Sequence, residues 1–410
     1  LNSDAYTGGV DFEQYWDDKT YYLKTNFVAS HVTGDTAAIN TLQKSSRRYY
    51  QRPDNSYASL DTTLTSLTGH GGTVQVGKQG SSKLRFVGFV TWRSPGLELN
   101  DIGYLRQADA VFQVFWAGYR IARPFSIFRE MDFNFNQWTG WDFGLNSNFK
   151  GSNVSVATKF KNHWTFSAGV NLNGQERSNT LLRGGPSITL PGNRNYYTNL
   201  GTDERKKLTF GLNHFQNWGH ENYYYEMSNG ISMHYRPADR LRFTLNPNFT
   251  QRKHKLQYLT TESYDNEKRY IFATLDQTTA DLTCRMDLTL SPNLTLQYYG
   301  SPFITSVDYS RPKYISNPHA AQFGDRYVED VTFSEEDFEK DYDFNFQQFR
   351  SNLVLRWEYR PGSLLYLVWN QGRTNEKENG RFSYGPNLNS LFNIKPHNVF
   401  LAKLSYRFAY

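Results

Sequence analysis

The sequence predicts an all-β chain, a large antiparallel transmembrane β-barrel with long extracellular loops, and three observations carry that prediction. Apolar and polar residues alternate with period two from end to end. Short turns alternate with long polar connections, and the last strand stops on an aromatic residue. Composition agrees. Hydrophobic residues make up 38% of the 410 positions while Phe, Trp and Tyr reach 17%, which suits strands that face lipid on every second residue and a wet lumen on the rest. So many aromatics exclude a disordered chain.

The stripes are clean enough to read directly. Met131, Phe133 and Phe135 form one. Trp164, Phe166, Ala168, Val170 and Leu172 alternate with Thr165, Ser167, Gly169 and Asn171. Leu208, Phe210 and Leu212 form the next stripe, followed by Leu241, Phe243 and Leu245. Leu282, Cys284, Met286, Leu288 and Leu290 oppose Thr283, Arg285, Asp287 and Thr289, a strand built for two solvents. Leu353, Leu355, Trp357 and Tyr359 repeat the pattern. Roughly seventeen strands can be drawn, within a range of about 16–18.

Tight reversals are predicted at Asp17-Asp18, Lys161-Asn162, Pro237-Ala238-Asp239, Ser291-Pro292-Asn293 and Arg360-Pro361-Gly362-Ser363, where Pro, Asn, Asp and Gly meet the dihedral demands of turns. Residues 34–58, 174–192, 305–342 and 374–396 are long, polar and rich in Asn, Gly, Pro and charge, as outer loops are. An odd strand count leaves residue 1 on the outer side, whereas single-chain bacterial barrels have an even number of strands. Leu1 is not a Met and no charged leader follows it. The expectation is one barrel domain over 1–410 that lacks upstream strands.

Other classes are bounded by what the chain contains. No run approaches eighteen apolar residues, which excludes a helical span. Cys284 is the lone cysteine and cannot make an internal disulfide. The net charge of +6 comes with scattered Lys and Arg. The short clusters Arg47-Arg48, Arg205-Lys206-Lys207 and Arg252-Lys253-His254-Lys255 belong to no nucleic-acid motif. Nucleic acid is therefore not an expected partner, and the charges read as lumen and loop charges facing lipopolysaccharide or internal carboxylates.

Several strings resemble a family of Bacteroidota outer-membrane proteins with a domain of unknown function. They are Gln51-Arg52-Pro53-Asp54, the stretch from Thr65 to Gly72, Gly77-Lys78, the stretch from Ser94 to Tyr104, and three later ones over 297–303, 358–373 and 398–408. The resemblance implies that this chain is the C-terminal barrel part of proteins that carry a family-9 carbohydrate-binding-like module ahead of it. The resemblance implies no particular reaction.

Catalytic, metal and cofactor sites are not expected. His70 lies in a Gly-rich bend, His214 and His220 flank Trp218, and none has a Ser or acid at motif spacing. Glu335, Glu336, Asp337, Glu339, Asp341 and Asp343 form an acidic run without EF-hand spacing, which reads as a solvated loop. Gly69 to Gly72 with Lys78 is followed by strand-like Val74 and Val76, so it is no phosphate loop.

Lys24, Asn26, Arg85, Asp132, Asn134, Asn136, Arg285, Asp287, Arg356 and Glu358 sit on polar strand faces and are the lumen-facing candidates. They either set solute selectivity or pair across strands to hold the wall. Tyr21, Trp116, Trp164, Trp357 and Tyr406 are expected in interfacial girdles. Phe400, Ala402, Leu404, Tyr406, Phe408 and Tyr410 form one face of the last strand, and that pattern resembles the signal read by the barrel-assembly machinery. The expected role is transport or docking of glycan or peptide at a bacterial outer membrane, without covalent chemistry. The expected partners are outer-membrane lipid, lipopolysaccharide, the barrel-assembly machinery and other outer-membrane or periplasmic proteins. An outer-membrane hydrolase and a soluble carbohydrate-binding β-protein are the alternatives.

Overall fold

A computed structural model of the chain describes residues 2–80, 82–101, 103–264, 267–329 and 342–408. The first strands are β1 (Asn2–Trp16), β2 (Tyr21–Gly34), β3 (Ser66–Lys78), β4 (Leu84–Arg93), β5 (Ala110–Ile121), β6 (Phe128–Trp141), β7 (Ser147–Phe160) and β8 (Thr165–Asn173). A short hairpin, β9 (Glu176–Ser178) with β10 (Ile188–Leu190), interrupts the meander. It resumes with β11 (Asn193–Gly201), β12 (Leu208–Gly219), β13 (Tyr224–Ala238), β14 (Leu241–Tyr264), β15 (Glu267–Ser291) and β16 (Leu294–Ile315). The short β17 (Tyr327–Glu329) adds to the end of β16, and β18 (Phe344–Arg360), β19 (Ser363–Lys377) and β20 (His397–Ser405) complete the order. Helices α1 (Thr36–Lys44) and α2 (Tyr384–Asn393) lie within loops.

Every pairing between these strands is antiparallel, and each strand of the meander pairs with the next one along the chain. The main sheet has 18 strands among the described residues, and leaving out the short β17 the meander has 17. The expected barrel is not closed. β1 pairs only with β2 and β20 only with β19, so both free edges stand open. The odd number explains why the two edges do not simply meet. β1 and β20 run in the same direction, so joining them would create a parallel pair in an otherwise antiparallel sheet.

The short turns fall where the turn residues stand. Asp17, Asp18 and Lys19 take positive φ between β1 and β2, and Gly362 takes φ 78° between β18 and β19, a region that glycine enters without steric cost. The described residues of the long connections 35–65, 94–109, 174–192, 316–343 and 378–396 lie at the opposite end. Boundaries differ from the sequence reading in several places: loop 34–58 extends to residue 65, and β19 runs on to Lys377 rather than ending before 374. β16 runs on to Ile315 rather than ending before 305, because the upper half of β15 offers it a paired edge up to Ile271 opposite Tyr314. The final strand ends at Ser405, since the last residue of β19 able to face it is Leu364. Tyr406 and Phe408 therefore lie beyond the ladder, and Tyr410 lies outside the described residues.

The strands β14, β15 and β16 are 24, 25 and 22 residues long. At about 3.3 Å per residue they reach some 80 Å, far more than a membrane-spanning strand needs. Their long-loop ends carry the largest apolar core. Leu256, Phe272 and Ile315 pack there with Leu182, Ile188 and Leu190 from loop 174–192, together with Tyr223 and Phe323. A second small core joins Leu97, Leu105 and Ala108, with Val28 and Leu99 against it. Long loops are thus held by packing rather than left free.

Candidate functional site

The pairing register sorts every strand residue to one of two faces, since directly opposed residues share a face and neighbours alternate. One face is apolar and open. Leu208, Phe210 and Leu212 are 43%, 43% and 49% exposed, and Val154, Val170 and Leu172 on neighbouring strands are exposed likewise. The other face is polar. Lys24, Asn26, Arg85, Asp132, Asn134, Asn136, Arg285, Asp287, Arg356 and Glu358 all share it, because the register carries the same parity from β2 through β18.

Many of these polar groups find each other. Arg85 stands 3.7 Å from Asp132, Arg356 3.5 Å from Glu358, and Lys24 2.9 Å from Glu13. Arg120 pairs with Glu130 at 2.7 Å. Asn136 donates to Asn153 at 3.1 Å, and Asp287 accepts from Gln297 at 3.1 Å. Arg285 faces the Tyr299 ring at 5.3 Å. Asn26 lines a cavity of about 330 Å³ beside Thr73 and Arg93.

Trp116 is placed differently from its expected girdle position. Its Nε1 donates to Asn134 Oδ1 at 3.1 Å, and the Arg85 guanidinium lies 5.7 Å from its ring, so it belongs to the polar face. The sequence of β5 carries apolar residues on both faces, and its pairing with β4 and β6, which sets Trp116 opposite Val87 and Asn136, fixes the phase. Tyr21 and Trp357 do lie on the apolar face, with Tyr21 stacked on Trp16 at 6.1 Å. Trp164 sits in the turn before β8, and Tyr406 packs edge-on to Phe408 at 4.8 Å past the end of β20. Phe400 and Leu404 are 73% and 67% exposed on the open edge strand.

At the long-loop end the residues assemble an ionic network that spacing alone did not reveal. Arg48, with no exposed side-chain surface, donates to Glu98 Oε2 at 2.8 Å, to the Leu97 carbonyl at 2.8 Å and to the Leu42 carbonyl at 3.1 Å. Glu98 also accepts from the Asn100 backbone and side-chain amides. Burial by itself would raise the Glu98 carboxyl, but the Asn100 bonds and the Arg48 charge hold it below its ordinary range. Arg52 lies 3.5 Å from Asp109, which also accepts the Tyr57 hydroxyl at 2.6 Å. Burial, then that bond, push the Tyr57 phenol up, and burial raises the Asp109 carboxyl despite the Tyr57 hydrogen bond. Gly69 and Gly96 let the two backbones touch: a Cβ on Gly69 would meet the Leu97 nitrogen at 2.0 Å.

A third knot joins three loops. Asp54 accepts from Arg177 at 3.0 Å, from the Ser187 amide at 2.9 Å and from the Ser187 hydroxyl. His319 Nε2 is 3.2 Å from Ser187 Oγ, and its Nδ1 is 3.1 Å from Thr189 Oγ1. Burial would raise the Asp54 carboxyl, yet Ser187 and Arg177 hold it below its ordinary value, while burial and the Arg177 charge lower the His319 imidazole. These are Ser, His and Asp side chains converging in space, but not in the relation that nucleophilic catalysis needs. A catalytic serine gives its proton to His, and the acid orients the far ring nitrogen. Here the fully buried Ser187 donates to Asp54 and accepts from Arg177 Nε at 2.7 Å, which is the geometry of a structural clasp.

Of these groups, Arg52, Asp54 and Glu98 fall inside the strings that carry the family resemblance, which is the one signal that pointed to them. Among the described residues no group of three or more His, Cys, Asp or Glu side chains is placed to hold a metal ion. Of the acidic run, Glu335, Glu336, Asp337, Glu339 and Asp341 lie outside the described residues, and Asp343 accepts from the Tyr309 amide at 2.7 Å.

No curated protein matches the chain. Among solved structures it is similar to one described as a bacterial polysaccharide outer membrane secretin, at 7% identity over 75% of this chain and 87% of that one, with a TM-score of 0.32, a likeness too slight to carry an argument. The model of a domain of unknown function, DUF5916, matches residues 19–410, and the chain therefore belongs to the DUF5916 family.

Proposed function

We propose that this chain forms the wall of an outer-membrane β-barrel that moves or docks material at the cell surface, without covalent chemistry. The observation that carries the reading is the inverted distribution of side chains. A broad apolar face lies open on strand after strand while the opposite face is polar and hydrogen-bonded. Exposed apolar patches of that extent are costly in water and are what lipid covers. Long loops gathered at one end and tight turns at the other fit an outer-membrane orientation. In a bilayer the free edges of β1 and β20 need partners, because unpaired backbone groups are expensive there. Their common direction makes an odd number of added antiparallel strands the fitting closure.

A hydrolase reading would have to use Ser187, His319 and Asp54, and the buried Ser187 hydroxyl committed to Asp54 disfavours it. The test is reconstitution: protein refolded in detergent is mixed with liposomes, floated on a density gradient and assayed for solute efflux. Flotation with the lipid is the expected result. Protein that stays in the aqueous fraction as a detergent-free monomer would overturn the membrane reading.

A further inference from the structure

On the polar face near the short-turn end, a cavity of about 740 Å³ lies between β12, β13, β14, β15 and the turn before β12. Its cations are Lys206, Lys207, Arg236, Arg242 and Arg285, with the His234 ring beside them, against two acids, Glu204 and Asp287. Asp287 stands directly opposite Arg242 in the register but accepts from Gln297. Among the described residues, Lys206, Lys207, Arg236, Arg242 and Arg285 have no carboxylate at ion-pair distance, whereas Lys24, Arg85, Arg120 and Arg356 on the same face each have one. Arg93, Arg252, Arg350 and Lys403 on the same face also have no carboxylate at that distance among the described residues, but here five such cations gather around one cavity. Like charges gathered on low-dielectric walls focus a field that attracts anions.

A second cavity of about 410 Å³ adjoins it and shares Asn246 and Thr283. Asn199, Asn213 and Asn248 line it beside the rings of Tyr197 and Phe215. Carboxamides donate and accept at once, which matches hydroxyl groups, and flat aromatic faces match the apolar faces of sugar rings. Asn248 already shows this capacity by donating to Asp281 at 3.1 Å.

We propose that the two cavities form one binding site for an acidic glycan. Its carboxylate or phosphate groups would sit on Arg242, Arg285 and the Lys206-Lys207 turn, and its hydroxyls on the amides above. The inference rests on the reading of the polar face as a solute path. An acidic peptide would satisfy the cations but would leave the adjoining amide and ring surface unused.

Detergent-solubilised full chain is titrated with fluorescent oligogalacturonate, phosphomannan, a neutral malto-oligosaccharide and oligoglutamate of matched length. At least one of the two acidic glycans is expected to bind more tightly than the neutral glycan and the peptide, and the better of the two names the acid group. Arg242→Gln with Arg285→Gln is expected to weaken that binding by about tenfold per lost charge-assisted bond. Lys206→Gln with Lys207→Gln, which leaves the strands untouched, is expected to weaken it in the same direction. Equal binding of oligoglutamate, preference for the neutral glycan, or full affinity in both variants would overturn the proposal. Liposome flotation of the same preparation separates the two readings. Protein that floats yet ignores acidic glycans defeats this inference alone, and protein that binds them yet does not float defeats the membrane reading alone.

Discussion

Glu98→Gln is the substitution that most directly tests whether the ionic network fixes the loops. Arg48 and Glu98 have 0% and 3% side-chain exposure, so neither has water to fall back on. Neutralising Glu98 removes the one buried negative charge at 2.8 Å from the guanidinium and leaves Arg48 with the Leu97 and Leu42 carbonyls. Breaking a buried pair by removing one partner costs about 3–5 kcal/mol, and the amide that remains can still hydrogen-bond, so the low end, about 3 kcal/mol, is expected. Carried by local opening, that raises the open population on the order of 100-fold. Hydrogen exchange reads it at the Ala108 and Tyr50 amides, which bond to the Arg47 and Gln43 carbonyls and report loop closure. Arg47→Gln is the comparison: Arg47 is 3.8 Å from the same carboxylate and one-third exposed, and its loss should cost under about 1 kcal/mol. Unchanged exchange in Glu98→Gln, or equal effects of the two substitutions, would refute the reasoning.

Gly69→Ala should dislodge loop 94–108, because the new methyl would meet Leu97 backbone at 2.0 Å; proteolytic nicking of that loop should rise sharply while the strands stay intact. Leu212→Arg on the apolar face should cost about 2–4 kcal/mol of membrane assembly, whereas Asn213→Arg on the polar face should assemble normally; heat-modifiability on gels compares them. Acid should loosen the clasp that joins loops 35–65, 174–192 and 316–326. Asp54 titrates below its ordinary 3.8 when folded, so its stabilisation is complete at neutral pH, begins to fade as pH falls below about that value, and is gone below the folded pKa. Cross-linking between loop cysteines placed at exposed positions should fall over that acid range in the wild type and be weak at all pH values in Asp54→Asn.

Much of the architecture was legible because a two-solvent strand writes its period into the chain. Leu282 to Leu290 announced both the strand and its faces, and Pro361-Gly362 announced the turn. The odd strand count was legible too, but what pairs with the free edges of β1 and β20 was not, because neither strand's own sequence specifies its outer neighbour. Trp116 was misassigned because β5 is apolar on both faces and takes its phase from its neighbours β4 and β6. The loop network was hidden for another reason. Arg48 and Glu98 lie 50 residues apart, Asp54 and Ser187 lie 133 apart, and no local spacing predicts such contacts. Polar stretches that read as outer loops bury charges against each other, as Arg48 and Glu98 do.

The central claim is that the apolar face meets lipid and the polar face does not, and depth-sensitive tryptophan quenching in proteoliposomes tests it most directly. Variants retaining a single tryptophan are reconstituted with brominated phospholipid. Trp357 and Trp369, both on the apolar face, should be strongly quenched, and Trp116, hydrogen-bonded to Asn134 on the polar face, should keep its emission. Equal quenching at all three positions, or quenching of Trp116 alone, would contradict the account.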